Sequence, residues 1–599
     1  MAETLEDLST MLEHLNSVSQ RVSLKLNIQL VSEDESLQPV CVASVDIWIL
    51  SVVASEGSAE IAQRAMERAM LATGTMKQRV YSSPINSKEE LTERVLGVAN
   101  DIRNDPEMIR RATQQIVLRA TIYAQRVNNS ILDFVGNTPL IKLNTIPKDH
   151  GLTCEIYAKC EFMNPGGSSK DRIALAMVRD AESGNYIHED TEFVEPTSGN
   201  TGIGVAFNAA LLDKKCYIVM GEKNSSEKVN TMKILGSEVI LTRKSSTEIA
   251  RQIKDARPDK VVMLDQFENS VNPKIHYNTT GVEIIEALGK VDMLVCGAGT
   301  GGTVTGTGNR IKEKCPKCTV IVAEPEGSTM FNVNGKKHPF LVEGIGGSTV
   351  PIVLDKSVVD DFEVVTDEES FLMAREVIQK EGLLCGGSSG TAMAAAIKAA
   401  RRHNLGAGHR IVVVLPDGIR NYMTKFVTNQ WMEAHLFMNP PEHSMRWWNH
   451  PITNLKLTHV YPIIIDDFTC AEAIEAMKSE NVAIVVNGGG WFVGAVSKDY
   501  LRHSATNPTK LPDQKSEDFN FNDPVTMHLV KDCYTLAKNG KKGMPTIGRL
   551  SRILDITSFV VIGQKEIDED HFKPESVVTA DDVLEYIYLH TDKQSSAGN

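Results

Sequence analysis

The feature that most constrains this fold is a series of short, continuously apolar runs between residues 131 and 426. The clearest runs are residues 216–220, 293–296, 320–323 and 411–415. Each ends in a glycine, proline or acidic turn, and helical segments lie between them. Strands that are apolar at every position are buried on both faces, because helices cover both sides of a parallel sheet. The pattern therefore predicts an α/β fold built on parallel sheets.

The regions on either side of this segment differ from it. Residues 1–125 are expected to form a mainly helical extension, because Ser87 and Glu90 have the spacing of a capping box. This extension either regulates and assembles the protein or merely packs on the core. Four parts are predicted: the extension, a central α/β module (126–430), a linker (431–453) and a smaller module (454–592). In the last, residues 494–501 and 576–583 both place an apolar strand before a hydroxyl residue and a helix, which predicts two similar α/β units in tandem.

Composition argues against several classes of function. A net charge of −14 leaves no basic surplus to neutralise phosphates, so binding to nucleic acid or to an anionic membrane is not expected. The first residues lack the charged and apolar regions of a secretory signal, and the apolar stretch 40–54 is too short to cross a bilayer. Ten cysteines without disulfide-scaffold spacing suit a reducing compartment, and we expect a cytoplasmic protein.

One glycine-rich turn fits two kinds of ligand. It comprises Gly299, Thr300, Gly301, Gly302 and Thr303. With Gly297 before it and Glu324 after the next strand, it matches a dinucleotide fingerprint. However, the fingerprint normally opens an α/β fold, whereas this turn lies well inside it. Backbone N–H groups and two hydroxyls at a helix N-terminus suit a single phosphate monoester. The turn therefore predicts a phosphate, whichever molecule carries it.

A lysine decides between these ligands. Lys170 follows the glycine-serine turn 164–169 at the start of a helix. The positive end of a helix dipole lowers the pKa of an amine there and favours the neutral form that makes a Schiff base. Two further turns rich in glycine and hydroxyl residues, 196–202 and 385–390, also open helices. A solvated surface lysine is the alternative, but it leaves the turn around Lys170 without a purpose.

These motifs resemble the β-family (fold type II) of pyridoxal-phosphate enzymes and, within it, the cystathionine β-synthase family. The resemblance covers residues 131–453 and, more loosely, the C-terminus. The lysine turn and the turn at 196–204 are shared with cysteine synthases. The stretches VEGIG (342–346), RNYMTKF (420–426) and GRLSRIL (548–554) are more specific to cystathionine β-synthases.

The resemblance implies a lyase that condenses L-serine, or L-cysteine, with L-homocysteine to give cystathionine plus water or hydrogen sulfide. Lys170 would hold pyridoxal 5′-phosphate and then remove the α-proton of the substrate. Asn200 would bond the 3′-oxygen of the cofactor, Ser388 would face its pyridine nitrogen, and the turn 299–303 would hold its phosphate. A neutral hydroxyl at that nitrogen makes the ring a weaker electron sink and favours β-elimination over transamination. The substrate carboxylate would be received by Thr197, Ser198, Thr201 and Gln266, and Gly344 would also bind the substrate.

Two positions depart from the family pattern. Phe267 and Gly347 stand where tyrosines are usual, near the mouth of the active site. We therefore expect an altered substrate preference, such as cysteine as the first substrate. Animal members commonly bind haem through a cysteine and a histidine near the N-terminus. Cys41 and His14 have the wrong order and spacing for this, and no haem is predicted.

The C-terminal module resembles the tandem (Bateman-type) pair that binds adenosyl ligands. Asp582, three residues after Thr579, matches the carboxylate that binds a ribose, whereas Tyr500 occupies the equivalent position in the first repeat. The pair therefore holds at most one ligand, such as S-adenosylmethionine, or only mediates assembly. The family also implies a homodimer or a higher homo-oligomer. Two alternatives remain open: a cysteine or cyanoalanine synthase, and a catalytically idle sensor of adenosyl ligands.

Overall fold

The computed structural model describes residues 128–197, 199–221, 224–242, 245–457, 460–506, 520–530, 533–539, 545–566 and 571–591. The predicted helical extension, the haem-ligand candidates Cys41 and His14, and the predicted substrate residue Ser198 lie outside these residues. Within them, no helix is long and apolar enough to cross a membrane.

The largest element is a six-stranded sheet with the strand order β1-β2-β10-β7-β8-β9. Its strands are β1 (Leu140–Lys142), β2 (Glu155–Cys160), β7 (Met293–Gly297), β8 (Thr319–Pro325), β9 (Asp361–Val365) and β10 (Arg410–Leu415). All neighbours are parallel except β1, which is antiparallel to β2. Ile411 and Val413 pack into the core on one face of the sheet, while Val412 and Val414 pack into the core on the other.

A second, four-stranded sheet has the order β5-β4-β3-β6 and is entirely parallel. Its strands are β3 (Glu192–Pro196), β4 (Cys216–Gly221), β5 (Glu238–Thr242) and β6 (Val261–Met263). Alternate residues of β4 again pack into two separate cores, with Ile218 on one face and Tyr217 on the other. The two sheets confirm the predicted α/β fold with parallel sheets.

Helices connect and cover the strands of both sheets. They are α1 (Ile146–Asp149), α2 (Lys170–Ser183), α3 (Asn200–Leu211), α4 (Ser226–Ile234), α5 (Ser246–Ala256), α6 (Val271–Asn278), α7 (Thr280–Leu288), α8 (Gly302–Lys314), α9 (Asp367–Glu381), α10 (Gly387–Arg402) and α11 (Asn429–Ala434). Helices α2, α3, α8 and α10 begin at or within the four turns that the sequence singles out. These turns therefore place four helix N-termini near the carboxyl ends of parallel strands.

The C-terminal segment contains two small sheets of the same design. The first has β11 (Ile463–Ile465), α12 (Cys470–Met477), β12 (Val482–Val486), β13 (Phe492–Ser497) and α13 (Lys498–Thr506). The second has β14 (Tyr534–Ala537), α14 (Ile547–Leu554), β15 (Phe559–Lys565), β16 (Phe572–Thr579) and α15 (Ala580–Thr591). In each sheet the first pair of strands is parallel and the second is antiparallel. Ile484 and Val561 belong to one core that both sheets share.

Candidate active site

A cavity of about 560 Å³ brings most of the predicted residues together. Those that line it are Lys170, Asn200, Thr201, Gln266, Gly299, Thr300, Gly301, Thr303, Gly344 and Ser388. They come from segments that connect the strands of both sheets. Two predicted residues lie behind this lining. Gly302 is buried at the start of α8, and the hydroxyl of the buried Thr197 accepts a hydrogen bond from the Gly199 N–H (3.0 Å).

The glycine-threonine turn is shaped by its close approach to the opposite loop. A Cβ on Gly299 would lie 2.3 Å from the carbonyl oxygen of Gly344, so only glycine fits there. Gly301 is left-handed (φ +82°) and caps α8. The side-chain amide of Asn272 donates to the Thr300 hydroxyl (3.0 Å) and fixes it. The turn therefore offers backbone N–H groups, a helix N-terminus and fixed hydroxyls to a phosphate.

The last residue of this turn is held by a buried histidine. His276 Nε2 lies 3.2 Å from the Thr303 hydroxyl, and its Nδ1 lies 2.9 Å from that of Thr280. Burial lowers the pKa of His276 to about 3, so its ring is neutral in the physiological range. A neutral ring can orient the Thr303 hydroxyl without adding a charge beneath the phosphate turn.

Lys170 is the first residue of α2, and its amine lies 3.4 Å from the Ser169 hydroxyl. Burial is the largest influence on its pKa and lowers it, while the nearby carboxylates Asp417 and Glu161 oppose the shift. A lowered pKa of Lys170 is what the sequence predicts. The structure adds burial as a cause that the turn alone did not reveal.

A buried ion network fixes the helix that carries Lys170. Arg172 donates to Glu161 (2.7 Å) and to Glu283 (2.6 Å), and Lys159 also binds Glu283 (2.5 Å). Burial raises and Arg172 lowers the pKa of Glu283, with a net fall to about 2. Lys159 lies on β2, Glu161 directly follows that strand, and Glu283 lies on α7, so the network clamps the first turn of α2 in place. Sequence reasoning missed it, because no local pattern links residues more than a hundred positions apart.

Asn200 is held from both ends of its amide. Its Nδ2 donates to Asp417 Oδ2 (2.8 Å), and its Oδ1 accepts from the Asn421 amide (2.9 Å). Asp417 also accepts from the Tyr422 hydroxyl (2.5 Å) and is 1% exposed. Asp417 was not predicted, although it directly follows the carboxyl end of a continuously apolar strand, where functional residues of α/β proteins concentrate.

A buried glutamate that can hold a proton lies beneath the residues predicted to bind the substrate carboxylate. The Thr201 hydroxyl donates to the Gln266 side chain (2.6 Å), and both residues are buried. Beneath them, Glu195 accepts from the backbone N–H groups of Asp265 (2.9 Å) and Gln266 (3.2 Å). Burial raises the pKa of Glu195 to about 8. Glu195 is therefore mainly neutral at pH 7 and adds little negative charge beneath this subsite.

Three charged residues at the cavity were also missed. Glu343 binds Lys228 (2.6 Å) and Lys425, and all three line the cavity. Burial raises the pKa of Glu343, but the two ammonium groups outweigh it and hold the pKa below its usual range. The cluster carries a net positive charge, which favours a negatively charged group entering the cavity.

The dinucleotide interpretation of the glycine turn does not hold. Glu324 is 1% exposed and accepts hydrogen bonds from the backbone N–H groups of Phe331 (2.9 Å) and Asn332 (2.7 Å). It also accepts from Ser328, whose hydroxyl in turn accepts from the Gly347 N–H (2.9 Å). The Glu324 carboxylate therefore shapes the loop at the cavity mouth. Its oxygens are already hydrogen-bonded to that loop and are not available to a ribose.

Comparison with known proteins agrees with this geometry. Residues 131–417 match the family model described as "Pyridoxal-phosphate dependent enzyme". The cystathionine β-synthase of Apis mellifera is 40% identical over 463 residues, covering 74% of this chain and 88% of its own. That of Oryctolagus cuniculus is 39% identical and covers 76% and 84%. The chain belongs to the cystathionine β-synthase family.

A solved structure also matches. A hydrogen sulfide-producing enzyme from Fusobacterium nucleatum is 40% identical, covers 49% of this chain and all of its own, and superposes with a TM-score of 0.47.

Membership of the cystathionine β-synthase family makes this chain a pyridoxal-phosphate-dependent lyase of fold type II that performs β-replacement. The cavity fits that cofactor: an amine with a lowered pKa and a phosphate turn whose Gly299 admits no Cβ share one cavity, which the buried Ser388 also lines. When bound, pyridoxal phosphate supplies an aldehyde and an electron-withdrawing ring.

Proposed function

We propose that Lys170 binds pyridoxal phosphate covalently and that the enzyme condenses serine or cysteine with homocysteine to give cystathionine. One observation carries this proposal. The Lys170 amine, the turn 299–303, Asn200 and Ser388 line a single cavity, as a cofactor with an aldehyde, a phosphate, a phenolic oxygen and a ring nitrogen requires. The relatives named cystathionine β-synthase support the choice of substrates.

Each residue then has a distinct task. Lys170 holds the cofactor and, once released by substrate, removes the α-proton, for which its lowered pKa suits it. Thr201, Gln266 and Gly344 receive the carboxylate of the first amino acid. Thr197 and Ser198, in the same turn as Thr201, complete this subsite. Ser388 faces the ring nitrogen with a neutral hydroxyl, which favours loss of the β-substituent over transamination. The thiolate of the second amino acid then replaces that substituent.

A second candidate is the use of cysteine as the first substrate, with release of hydrogen sulfide. One observation favours it: Phe267 lines the cavity without a hydroxyl that could hydrogen-bond the departing hydroxyl of serine. Gly347 has a φ of +156°, which tyrosine rarely adopts, so Gly347→Tyr would strain the backbone at that position.

We also propose that residues 126–430 form the catalytic module, 431–453 the linker and 454–592 a tandem regulatory module. The two β-α-β-β-α units and their shared core support this division. Asp582 Oδ2 accepts from both the backbone N–H and the hydroxyl of Thr579 (2.8 Å each). Its second oxygen would accept a ribose hydroxyl of one adenosyl ligand, such as S-adenosylmethionine. Tyr500 replaces this carboxylate in the first unit.

We also propose the compartment and the oligomeric state of the protein, and we rank the two alternative functions. Every cysteine in the described residues is a free thiol, which suits a reducing cytoplasm. The family suggests a homodimer or a higher homo-oligomer. A cysteine or cyanoalanine synthase is the weaker alternative, because simple enzymes of that kind lack the C-terminal units. An idle sensor of adenosyl ligands is weaker still, because the predicted cofactor residues within the described part of the chain remain together.

Borohydride reduction followed by peptide mapping tests the cofactor assignment. We expect the purified protein to absorb as a bound pyridoxal phosphate and the reduced label to reside on Lys170. Lys228, which lines the same cavity, is the matched control and should carry no label. Label on Lys228, or retention of the colour in a Lys170→Ala variant, would contradict the assignment.

A further inference from the structure

The cavity contains a buried carboxylate that none of the proposed tasks uses. Asp417 is 1% exposed and follows β10, between the lysine turn and the turn that carries Ser388. Its backbone is bridged to both turns: Ser168 pairs with Asp417, and the Gly386 N–H donates to the Asp417 carbonyl oxygen (2.9 Å). A carboxylate buried between two turns calls for an explanation, because burying such a group is unfavourable.

The carboxylate is locked in one position. A Cβ on Gly386 would lie 2.0 Å from Asp417 Oδ1, so the side chain fills the space that glycine leaves. That oxygen is buried without a hydrogen-bond partner among the described residues. The other, Oδ2, accepts from Tyr422 and from Asn200. Asp417 therefore cannot turn away from Asn200 without colliding with the turn before Ser388.

The Tyr422 hydroxyl accepts from Lys228 and donates to Asp417 Oδ2, so this oxygen is an acceptor, and it fixes which way the Asn200 amide faces. The NH₂ group of Asn200 must point to Asp417, and the carbonyl oxygen accepts from Asn421. The NH₂ group has two hydrogens. One is used by Asp417; the structure gives the second no acceptor among the described residues, and Asn200 lines the cavity.

We propose that Asp417 is a positioning residue for the cofactor: it orients the Asn200 amide so that an N–H, and not the carbonyl oxygen, meets the cofactor's 3′-oxygen. This inference rests on the proposed placement of Asn200. An N–H donor stabilises the 3′-oxygen as an anion, whereas a carbonyl oxygen would require it to keep its proton. Asp417 thus sets the protonation state of the cofactor without touching it.

The surroundings keep Asp417 able to act as an acceptor. Burial holds the pKa of Asp417 above its usual range, although the positive charge of Lys228 and the hydrogen bonds from Tyr422 and Asn200 oppose the shift. Oδ2 accepts from Tyr422 and Asn200 whether or not Oδ1 carries a proton. The Lys228 amine lies 3.2 Å from the Tyr422 hydroxyl and 4.6 Å from the centre of its ring. The positive charge of Lys228 thus lies against the Tyr422 ring near the carboxylate, a contact that phenylalanine at position 422 would keep.

The absorbance spectrum of the bound cofactor tests this proposal independently of turnover. The form with an anionic 3′-oxygen absorbs at longer wavelength than the neutral form. Asp417→Asn lets the amide of Asn200 reverse, and we expect the ratio of the long- to the short-wavelength band to fall about fivefold, the effect of one hydrogen bond. Asn200→Ala should give a comparable fall, and the double variant should fall no further than Asn200→Ala alone.

Tyr422→Phe is the matched control, because it removes the other donor to the same oxygen and leaves the acceptor beside Asn200. Its band ratio should stay that of the wild type. An unchanged ratio in Asp417→Asn, or additive effects in the double variant, would overturn the role of Asp417. An unchanged ratio in Asn200→Ala would instead show that Asn200 is misplaced, and the inference would fall with it.

A second variant covers the case in which Asp417→Asn does not fold. Asn421→Leu removes the partner of the Asn200 carbonyl and leaves Asp417 to orient the amide alone. We expect it to retain the wild-type band ratio. A fall as large as that of Asn200→Ala would show that Asp417 does not hold the amide.

Discussion

Arg552, on α14 of the C-terminal segment, lies 2.9 Å from Glu433, a carboxylate on α11 that is 1% exposed. The Arg549 guanidinium donates to the backbone carbonyl of the same glutamate (3.0 Å). Around this pair, Trp448 of the predicted linker packs with Ile547 and Leu550 of α14. The C-terminal segment is thus joined to the linker, at the helix α11 that connects it to the catalytic module, by an ion pair set in an apolar contact.

Arg552→Gln should weaken this junction, because Glu433 would be left buried without its cation. A fully buried pair loses about 3–5 kcal/mol on losing one partner, and the partial exposure of Arg552 reduces this to about 2–3 kcal/mol. The readout is hydrogen exchange of the α11 and α14 amides. Arg552→Gln combined with Glu433→Gln removes both charges and should recover part of the loss. An equal loss of hydrogen-exchange protection in the single and double variants would show that the two charges are not coupled.

Gly299→Ala should reduce cofactor affinity. Its Cβ would lie 2.3 Å from the Gly344 carbonyl, so the phosphate turn or the facing loop must move. We expect the dissociation constant of pyridoxal phosphate to rise at least about tenfold, or about 1.4 kcal/mol. Gly221→Ala is the control, since its nearest neighbours would be 3.8 and 4.0 Å away. Equal affinities in the two variants would show that the turn does not hold the phosphate.

The affinity for the first amino acid should fall as the pH rises through about 8. Glu195 is neutral below its raised pKa of about 8 and becomes negative above it, directly beneath Gln266. The negative charge then opposes the substrate carboxylate and raises KM. In Glu195→Gln this step should vanish, while titrations of the substrate itself stay the same in both proteins. Identical KM profiles for the two proteins would refute this role.

Phe267→Tyr should shift preference toward serine. A phenolic hydroxyl at the cavity can hydrogen-bond the departing hydroxyl of serine, which leaves less readily than the thiol of cysteine. We expect the ratio of kcat/KM for serine over cysteine to rise about fivefold, the effect of one hydrogen bond. Phe340→Tyr adds a hydroxyl elsewhere in the same cavity and serves as the control. A shift of the same size in both variants would argue against a specific role for position 267.

The strands and turns could be predicted because their signals are local. The run 411–415 is apolar at every position, and β10 is buried on both faces as that pattern requires. The turn at Lys170 is marked by glycine and serine immediately before the lysine. In both cases the residues that reveal the element are neighbours in the sequence.

The remaining features depend on contacts between distant residues. Asp417 and Asn200 are 217 positions apart, and Lys228 and Glu343 are 115 apart, so no spacing within the sequence links them. Which strands share a sheet was also not apparent, because the runs in β4 and β8 look alike although they lie in different sheets. Glu324 matched a ribose-binding pattern by position, yet the fold uses it to shape a loop.

Product analysis with labelled substrates tests the central claim most directly. The holoenzyme is supplied with serine or cysteine, each with and without isotopically labelled homocysteine, and the products are identified by mass spectrometry. We predict labelled cystathionine from wild type in the presence of homocysteine and none from Lys170→Ala. The absence of labelled cystathionine from a pyridoxal-phosphate-loaded wild type, or its formation by Lys170→Ala, would contradict the account.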